Sequence, residues 1–269
     1  MTPEPMVNDA LMVAALGHSA LVLLVVCVLG WLWQIVSKDA GHADVIWALG
    51  LGGSALYYLA LGDGSLVLRL VTAALVGFWS LRLAGHIAAR LRSEDHEDGR
   101  YAAMRDALGS KVHLFHLFFF LMQGLLAWLF ALPHWVIASH PGPVSAWALL
   151  AAVLVAVVAL VGETAADNTL ARWRADPANR GKTCREGLWR YSRHPNYFFE
   201  WLHWFSYPLL ALGAPLAGWV WLAPALMIVF LWFVTGIPYT EKQAIKSRGD
   251  DYRDYQRTTS PFIPWRPGQ

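Results

Sequence analysis

Charged side chains are scarce in this sequence, since Asp, Glu, Lys and Arg make up only 15% of the 269 residues. Soluble domains average about 25%. Hydrophobic residues make up 57%, and 15 residues are Trp, which favours membrane interfaces. A net charge of +2 gives no basis for nucleic-acid binding. These features predict an all-α, polytopic integral membrane protein.

The sequence also lacks the motifs of several site classes. There are only two cysteines, and Cys27 lies in an apolar run while Cys184 lies in a basic one, so we expect no disulfide. The ten histidines form no HExxH motif and no clustered histidine boxes, so we expect no metal site. The GLGG sequence at Gly50–Gly53 lies inside an apolar run, which indicates close helix packing rather than phosphate binding.

Hydropathy predicts about seven spans, each of about 20 residues, the length that crosses ~30 Å of hydrocarbon. The predicted spans are Leu11–Val36, Ala43–Leu61, Leu66–Arg90, Leu114–Ala138, Val144–Gly162, Tyr197–Leu212 and Leu216–Gly236. The short connectors Gly62–Ser65, Ser139–Pro143 and Gly213–Pro215 contain no Lys or Arg. By the positive-inside rule, the N-terminus is therefore outside and the C-terminus cytoplasmic.

Polar residues inside or beside these spans are candidates for function, because ionisable groups are costly in a membrane. Asp44 begins the second span, and Arg82 and His86 share one face of the third. Such groups could polarise a carbonyl. The alternatives are a structural ion pair between Asp44 and Arg82, and a histidine that is merely hydrogen-bonded.

The stretch Asp167–Trp204 carries seven of the 21 Lys and Arg residues. Arginine forks bind phosphate oxygens, and Asn, Asp and Glu side chains pair with ribose hydroxyls or an amide, so a phosphorylated nucleotide cofactor fits this inventory. The alternative is a loop that satisfies the positive-inside rule and contacts anionic lipid. Further on, Tyr252 and Tyr255 predict an amphipathic helix at the membrane interface over Asp250–Gln256, and the prolines of Ser260–Pro267 predict a nonhelical tail that folds back on the protein or the headgroups.

Residue order identifies a relationship. The run ADNTLARWRADPANRGKTCREGLWRYSRHPNYFFEWLHW resembles the C-terminal domain of the steroid 5-alpha-reductase family, and most closely its bacterial membrane branch of unassigned substrate. The tail EKQAIKSRGDDYRDYQRTTSPFIPW fits the same family, as do DVIW (Asp44–Trp47) and WSLRLAGHIAAR (Trp79–Arg90). RHPNY, the distal Glu and PFIPW are shared more loosely with isoprenylcysteine carboxyl methyltransferases.

The resemblance implies one membrane domain, residues 1–269, with a lipid-like substrate bound by helices 1–4 (residues 1–138). NADPH is then held by helices 5–7, the basic loop and the tail (residues 139–269). Arg82 matches an arginine that meets the cofactor phosphates in the family. The cofactor-binding residues that it implies here are Asp167, Arg174, Tyr191, Arg193, His194, Asn196, Tyr197, Glu200, Glu241 and Tyr252. We expect a monomer in the inner (cytoplasmic) membrane, with membrane lipids as its other partners.

The steroid enzymes use a Glu on the second helix and a Tyr on the third to polarise an enone carbonyl. Here Asp44 falls near the Glu, but Trp79 stands near the expected Tyr. The predicted activity is therefore NADPH-dependent reduction of an activated C=C bond in a steroid-like or other lipid, with Asp44, Arg82 and His86 as the catalytic residues. The alternatives are an S-adenosylmethionine-dependent membrane methyltransferase and a lipid-binding protein without catalytic activity.

Overall fold

The computed structural model describes residues 4–93, 99–140, 142, 145–234 and 236–268. Every regular element in these ranges is helical, which confirms the all-α prediction. The α-helices are α1 (Glu4–Ser37), α2 (His42–Leu61), α3 (Leu66–Ser93), α4 (Gly99–Leu108), α5 (Val112–Ala138), α6 (Ala146–Ala175), α7 (Pro195–His203), α8 (Ser206–Leu210), α9 (Ala217–Val220), α10 (Leu222–Val229), α11 (Ile237–Arg248) and α12 (Asp250–Thr258).

Six stretches in the described part of the chain are long and apolar enough to cross a membrane, where the sequence predicted about seven. They are Ala10–Ser37, His42–Leu61, Leu66–Arg92, Val112–Ala138, Ala146–Ala175 and Ala217–Arg248. The chain is therefore a multi-pass membrane protein, and the first four spans agree closely with their predicted positions.

The predicted sixth span, Tyr197–Leu212, is not one continuous helix. Its residues form two short helices, α7 and α8, which are separated by a turn at Trp204 and Phe205. The Ser206 hydroxyl donates to the carbonyl oxygen of His203 at 2.7 Å inside this turn, and Pro208 lies in α8. Helix α7 has 9 residues and rises about 14 Å, so it does not cross a bilayer by itself, and α8 continues the chain along α6.

The predicted end of the fifth span at Gly162 is also wrong. Helix α6 continues for more than three turns, to Ala175, so that Asp167 and Arg174 are helical rather than in a loop. The first polar residues after the apolar part of α6 include Glu163 and Asp167. Their side chains are buried, so the helix stays packed along this extension. The helix ends just before Pro177, because proline disfavours a helical conformation in the residue before it.

The chain divides into two compact units. Unit 1 comprises Met1–Val144 and Ala211–Ala217, and unit 2 comprises Ser145–Leu210 and Gly218–Gln269. In unit 1, α2 packs against α3 and α5, and α1 packs against α5. In unit 2, α7 and α8 pack against α6, and the Phe199 ring lies directly on Gly162. The candidate functional residues fall into one set in each unit.

Candidate functional site

An ion pair between Arg193 and Glu241 joins several segments of unit 2. Arg193 Nε donates to Glu241 Oε1 at 2.7 Å, and Arg193 Nη1 donates to the carbonyl oxygens of Gln256 and Thr259 at 2.9 and 2.8 Å. The Arg193 and Glu241 side chains are only 11% and 15% exposed. Because Arg193 precedes α7, Glu241 lies in α11 and Gln256 lies in α12, these bonds hold three segments together.

The other carboxylate contacts complete this arrangement, which we call the Arg193–Glu241 network (Arg193, His194, Glu241 and Gln256). His194 Nε2 lies 3.2 Å from Glu241 Oε1, and Gln256 Nε2 donates to Glu241 Oε2 at 2.7 Å. Since an ionised carboxylate only accepts, His194 Nε2 carries the hydrogen. Burial lowers the pKa of His194, and the Glu241 charge offsets this only in part. The imidazole is therefore held neutral.

Two tyrosines flank the network. The Tyr197 ring stacks on His194 with centroids 5.4 Å apart, and its hydroxyl lies 3.3 Å from Thr240 Oγ1. Thr240 gives its own proton to the Gly236 carbonyl, so Tyr197 is the donor in that pair. Burial raises the pKa of Tyr252, and the nearby Glu241 charge raises it further. The Tyr252 phenol therefore stays protonated.

The C-terminal tail folds back on this part of unit 2, as its prolines led us to expect. The backbone N–H of Trp265 donates to the Tyr191 carbonyl, and the Ser192 hydroxyl donates to the Phe262 carbonyl at 2.7 Å. Phe262 is 3% exposed and contacts the rings of Phe198 and Trp201. The tail thus fixes the conformation of the chain segment that carries Arg193 and His194.

Helix α12 confirms the predicted helix with its two tyrosines on one side, and that side packs against the protein. Tyr252 and Tyr255 are 3% and 1% exposed, with rings 5.7 Å apart. The Tyr255 hydroxyl donates to the carbonyl oxygens of Trp189 and Ser192. These rings therefore fasten α12 to the chain segment before α7.

Three further predicted residues bond across or along helices of unit 2. Asn196 Nδ2 donates to Asp167 Oδ1 at 3.2 Å, which joins α7 to α6. Trp204 Nε1 donates to Glu200 Oε1 at 2.9 Å, one turn along the chain. Asp167 and Glu200 are each 8% exposed, so both carboxylates are buried by the fold and oriented by a neighbour.

The remaining predicted residues of this set, Arg174 and Tyr191, are exposed. Arg185 and Arg193 form ion pairs inside unit 2. The exposed basic residues of the central stretch are Arg172, Arg174, Arg180, Lys182, Arg185 and Arg190. Arg185 and Arg190 line a shallow cleft of about 380 Å³ with Thr258, Thr259, Pro267 and Gly268. The roles of the predicted residues as cofactor ligands stay a prediction.

In unit 1, Asp44 lies in the first turn of α2 and meets two residues that the sequence did not single out. Gln123 Nε2, from α5, donates to Asp44 Oδ1 at 2.9 Å, and the Tyr101 hydroxyl, from α4, donates to the same oxygen at 3.3 Å. Tyr101 is only 1% exposed. We call Asp44, Tyr101 and Gln123 the Asp44 group, which places a phenol beside a carboxylate.

Arg82 and His86 lie one turn apart on α3, Arg82 partly buried and His86 exposed. Two contacts show which part of α3 lies beside Asp44. Ser80 Oγ donates to the Ala48 carbonyl at 2.9 Å, and Gly41, just before α2, lies against the Leu91 side chain. Asp44 lies between Gly41 and Ala48 in the sequence, so the part of α3 beside it is the part near His86. Trp79, which stands where a tyrosine was expected, is fully buried against Trp47.

Sequence reasoning missed Tyr101, Gln123 and Gln256. Tyr101 is 57 residues from Asp44 and Gln123 is 79 residues away, so no local spacing connects them. One signal was available, because Gln123 is a polar residue in an apolar span and such residues face a partner. Among the described residues, no group of three or more His, Cys, Asp or Glu side chains is arranged to hold a metal ion.

Comparison with known proteins identifies the family of this chain, and that family has no assigned activity. No curated protein matches the chain. No solved structure matches it. A family profile described as "Protein of unknown function (DUF1295)" matches residues 30–259, which include the Asp44 group and the Arg193–Glu241 network. The chain belongs to the DUF1295 family.

Proposed function

We propose that this protein is an NADPH-dependent membrane reductase that saturates an activated C=C bond in a lipid-like substrate. The observation that carries the proposal is the Asp44 group, because Tyr101 supplies from α4 the phenol that the resemblance to steroid 5-alpha-reductases requires and α3 lacks. The proposal places the protein in the cytoplasmic membrane with its tail in the cytosol.

The chemistry of an enone reduction fits this group. Addition of a hydride to the β-carbon moves an electron pair onto the carbonyl oxygen, and a donor aimed at that oxygen stabilises the charge that develops there. A phenol O–H turns about its C–O bond, so Tyr101 can transfer its hydrogen bond from Asp44 to a carbonyl oxygen within reach. Gln123 keeps the Asp44 carboxylate in place meanwhile. A proton from water then completes the new C–H bond at the α-carbon.

Unit 2 offers residues suited to the cofactor. Bound NADPH would supply the hydride. The exposed Arg174 and Arg190 are suited to its phosphates, since planar guanidinium groups bind phosphate oxygens through paired hydrogen bonds. The Asp167–Asn196 pair keeps a carboxylate and an amide on adjacent helices, where they suit ribose hydroxyls or the nicotinamide amide.

Ligand titration tests the cofactor. NADPH, NADH and S-adenosylmethionine are added in turn to the detergent-purified protein, and the midpoint of thermal unfolding is measured. We expect NADPH to raise the midpoint, and Arg174→Ala to remove most of that rise. Arg253→Ala is the matched control, because Arg253 is an exposed arginine of unit 2 that pairs only locally with Asp250. Stabilisation by S-adenosylmethionine alone favours the methyltransferase, and stabilisation by none favours a lipid-binding protein.

Turnover tests the role of Tyr101. Oxidation of NADPH is followed in the presence of long-chain enones for the parent and for Tyr101→Phe. Because a positioned hydrogen-bond donor to a developing oxyanion contributes about a hundredfold or more, we expect Tyr101→Phe to lower kcat by at least that factor while NADPH stabilisation persists. Tyr57→Phe is the control, since Tyr57 is bonded to His18 rather than to Asp44. Unchanged turnover in Tyr101→Phe would remove Tyr101 from the mechanism.

Glu200 offers a separate check on the cofactor set. Glu200→Gln keeps an oxygen that accepts from Trp204 Nε1, so the fold is expected to persist. We expect NADPH to bind more weakly, because the charge that accepts from ribose or amide donors is lost. Parent-like NADPH affinity in this variant would exclude Glu200 from cofactor binding.

A further inference from the structure

A buried amide in unit 1 lacks an acceptor. Gln34, in the last turns of α1, is fully buried, and its Oε1 accepts from Arg105 Nη2 at 3.1 Å and lies 3.0 Å from His116 Nδ1. No described residue accepts a hydrogen bond from Gln34 Nε2, which is itself buried. An unsatisfied buried donor is costly, so each such group in a native protein calls for an explanation.

The orientation of the Gln34 amide is fixed by its neighbours. Arg105 is a donor only, so turning the amide over would set Nε2 against a guanidinium N–H. The same argument assigns the hydrogen to His116 Nδ1, because Gln34 Oε1 can only accept. The arrangement therefore holds the amide N–H₂ in one direction, and the missing partner must be an acceptor oxygen.

The surroundings of Gln34 limit what that acceptor can be. The Arg105 charge and the His116 N–H lie on the oxygen side of the amide and polarise it, which makes Nε2 a stronger donor. The His116 ring also meets the edge of the Tyr101 ring with centroids 6.2 Å apart, so Gln34 belongs to the same buried polar region as the Asp44 group. Gln34 lies three residues before the end of α1, within a membrane-spanning helix.

We propose that Gln34 is a substrate-binding residue whose Nε2 donates a hydrogen bond to an oxygen at the polar end of the lipid-like substrate. This inference rests on the proposed function for the class of ligand. A carbonyl oxygen is a suitable acceptor for three reasons. Gln34 Nε2 is a neutral donor, the Arg105 charge lies nearby, and Gln34 lies in a membrane-spanning helix. Ester carbonyls of bilayer lipids share this chemistry, and buried water is the other possible acceptor, so the experiment separates the three.

The test compares the parent with Gln34→Glu. This variant keeps an oxygen that accepts from Arg105 and His116, but it replaces the N–H₂ donor by a second acceptor. Binding of a long-chain methyl enone is titrated in nanodiscs of diether phospholipid, which contain no ester carbonyl, and the alkene of the same chain length measures nonspecific partition. We expect enone affinity to fall about tenfold or more in Gln34→Glu, while alkene uptake is unchanged.

A second measurement uses the unmodified protein. The infrared carbonyl stretch of an isotope-labelled enone is expected to move to lower frequency in the protein than in protein-free nanodiscs, and to return towards the protein-free value in Gln34→Glu. An unshifted carbonyl stretch in the parent would overturn the proposal even if the variant failed to fold.

The outcomes also distinguish this inference from the proposed function. Enone binding that depends on Gln34 without NADPH oxidation supports the binding site and counts against the reductase. NADPH oxidation with parent-like enone affinity in Gln34→Glu overturns the role of Gln34 and points to water as the acceptor. Parent protein that is more stable in ester than in ether lipids, with no such difference in Gln34→Glu, assigns the acceptor to a bilayer lipid and overturns the substrate role.

Discussion

The Glu241 carboxylate accepts a hydrogen bond from Arg193 Nε at 2.7 Å, in surroundings that leave both side chains largely shielded from solvent. Arg193 adds bonds to the carbonyl oxygens of Gln256 and Thr259, so this one guanidinium connects α11, α12 and the tail. The resemblance to steroid 5-alpha-reductases predicts that both residues bind the cofactor. The geometry gives them a structural role, whether or not a cofactor also contacts them.

The first prediction concerns this ion pair. Glu241→Gln removes the charge that receives Arg193 and His194 and turns a donor towards Gln256. Hydrogen bonds to buried charged groups contribute about 1.5–3 kcal/mol, so we expect the free energy of unfolding to fall by about 2 kcal/mol or more. The midpoint of thermal unfolding measures the change.

Arg253→Gln is the control for that measurement. It breaks the Arg253–Asp250 pair, in which the side chains are 54% and 96% exposed, and solvent screens such a pair almost completely. We expect little change in the midpoint. Equal effects of the two substitutions would show that burial of the Arg193–Glu241 pair is not what stabilises unit 2.

The second prediction concerns pH. The folded-state pKa of His194 lies below its ordinary value because the imidazole is buried between Arg193, Glu241 and Tyr197. The unfolded chain takes up this proton near pH 6.5, whereas the folded protein does not until lower pH. The unfolded state therefore binds more protons in that window, and the free energy of unfolding falls as the pH drops through about 6.5.

His194→Gln isolates this contribution. Glutamine keeps a donor for Glu241 and does not titrate, so we expect the thermal midpoint of the variant to fall less steeply than that of the parent between neutral and mildly acidic pH. The two proteins are compared across that range in the same detergent. Parallel profiles would mean that another group causes the acid sensitivity.

The third prediction concerns the tail. Phe262 is 3% exposed and packs against Phe198, Trp201 and Trp232. Truncation of a buried Phe to Ala usually costs about 3–5 kcal/mol, so Phe262→Ala is expected to lower the thermal midpoint strongly and to expose the C-terminus to proteases. Ile263→Ala is the matched control, because the Ile263 side chain is 56% exposed. A tail that contributes nothing would give equally small effects.

The fourth prediction concerns helix packing in unit 1. A Cβ on Gly52 would lie 2.5 Å from the Ser80 Cβ, whereas a Cβ on Gly53 would meet no heavy atom within 4 Å. Overpacking costs about 1–3 kcal/mol, so we expect Gly52→Ala to lower the thermal midpoint. Gly53→Ala removes a poor helix former and is expected to be neutral or slightly stabilising. A reversal of this order would contradict the packing of α2 on α3.

Some of the candidate site could be predicted from the sequence. Asp44, Glu200 and Asp167 are acidic residues in or beside apolar runs, where an ionisable group requires a partner. The partners themselves are set by packing. Tyr101, in a polar connector, reaches Asp44 only because α4 packs against the bundle, and neither hydropathy nor spacing contains that information.

The sequence by itself determined that the chain is a multi-pass helical membrane protein. The length of each apolar run and its lack of charge are local properties, and they decide whether a helix is stable in a bilayer. It also determined where most spans begin and end. The tertiary structure decided that Tyr197–Leu212 is divided into two short helices, that α6 continues to Ala175, and that Tyr252 and Tyr255 face inward. These features depend on contacts between residues far apart in the chain, which bury polar groups that local patterns assign to solvent or to the membrane surface.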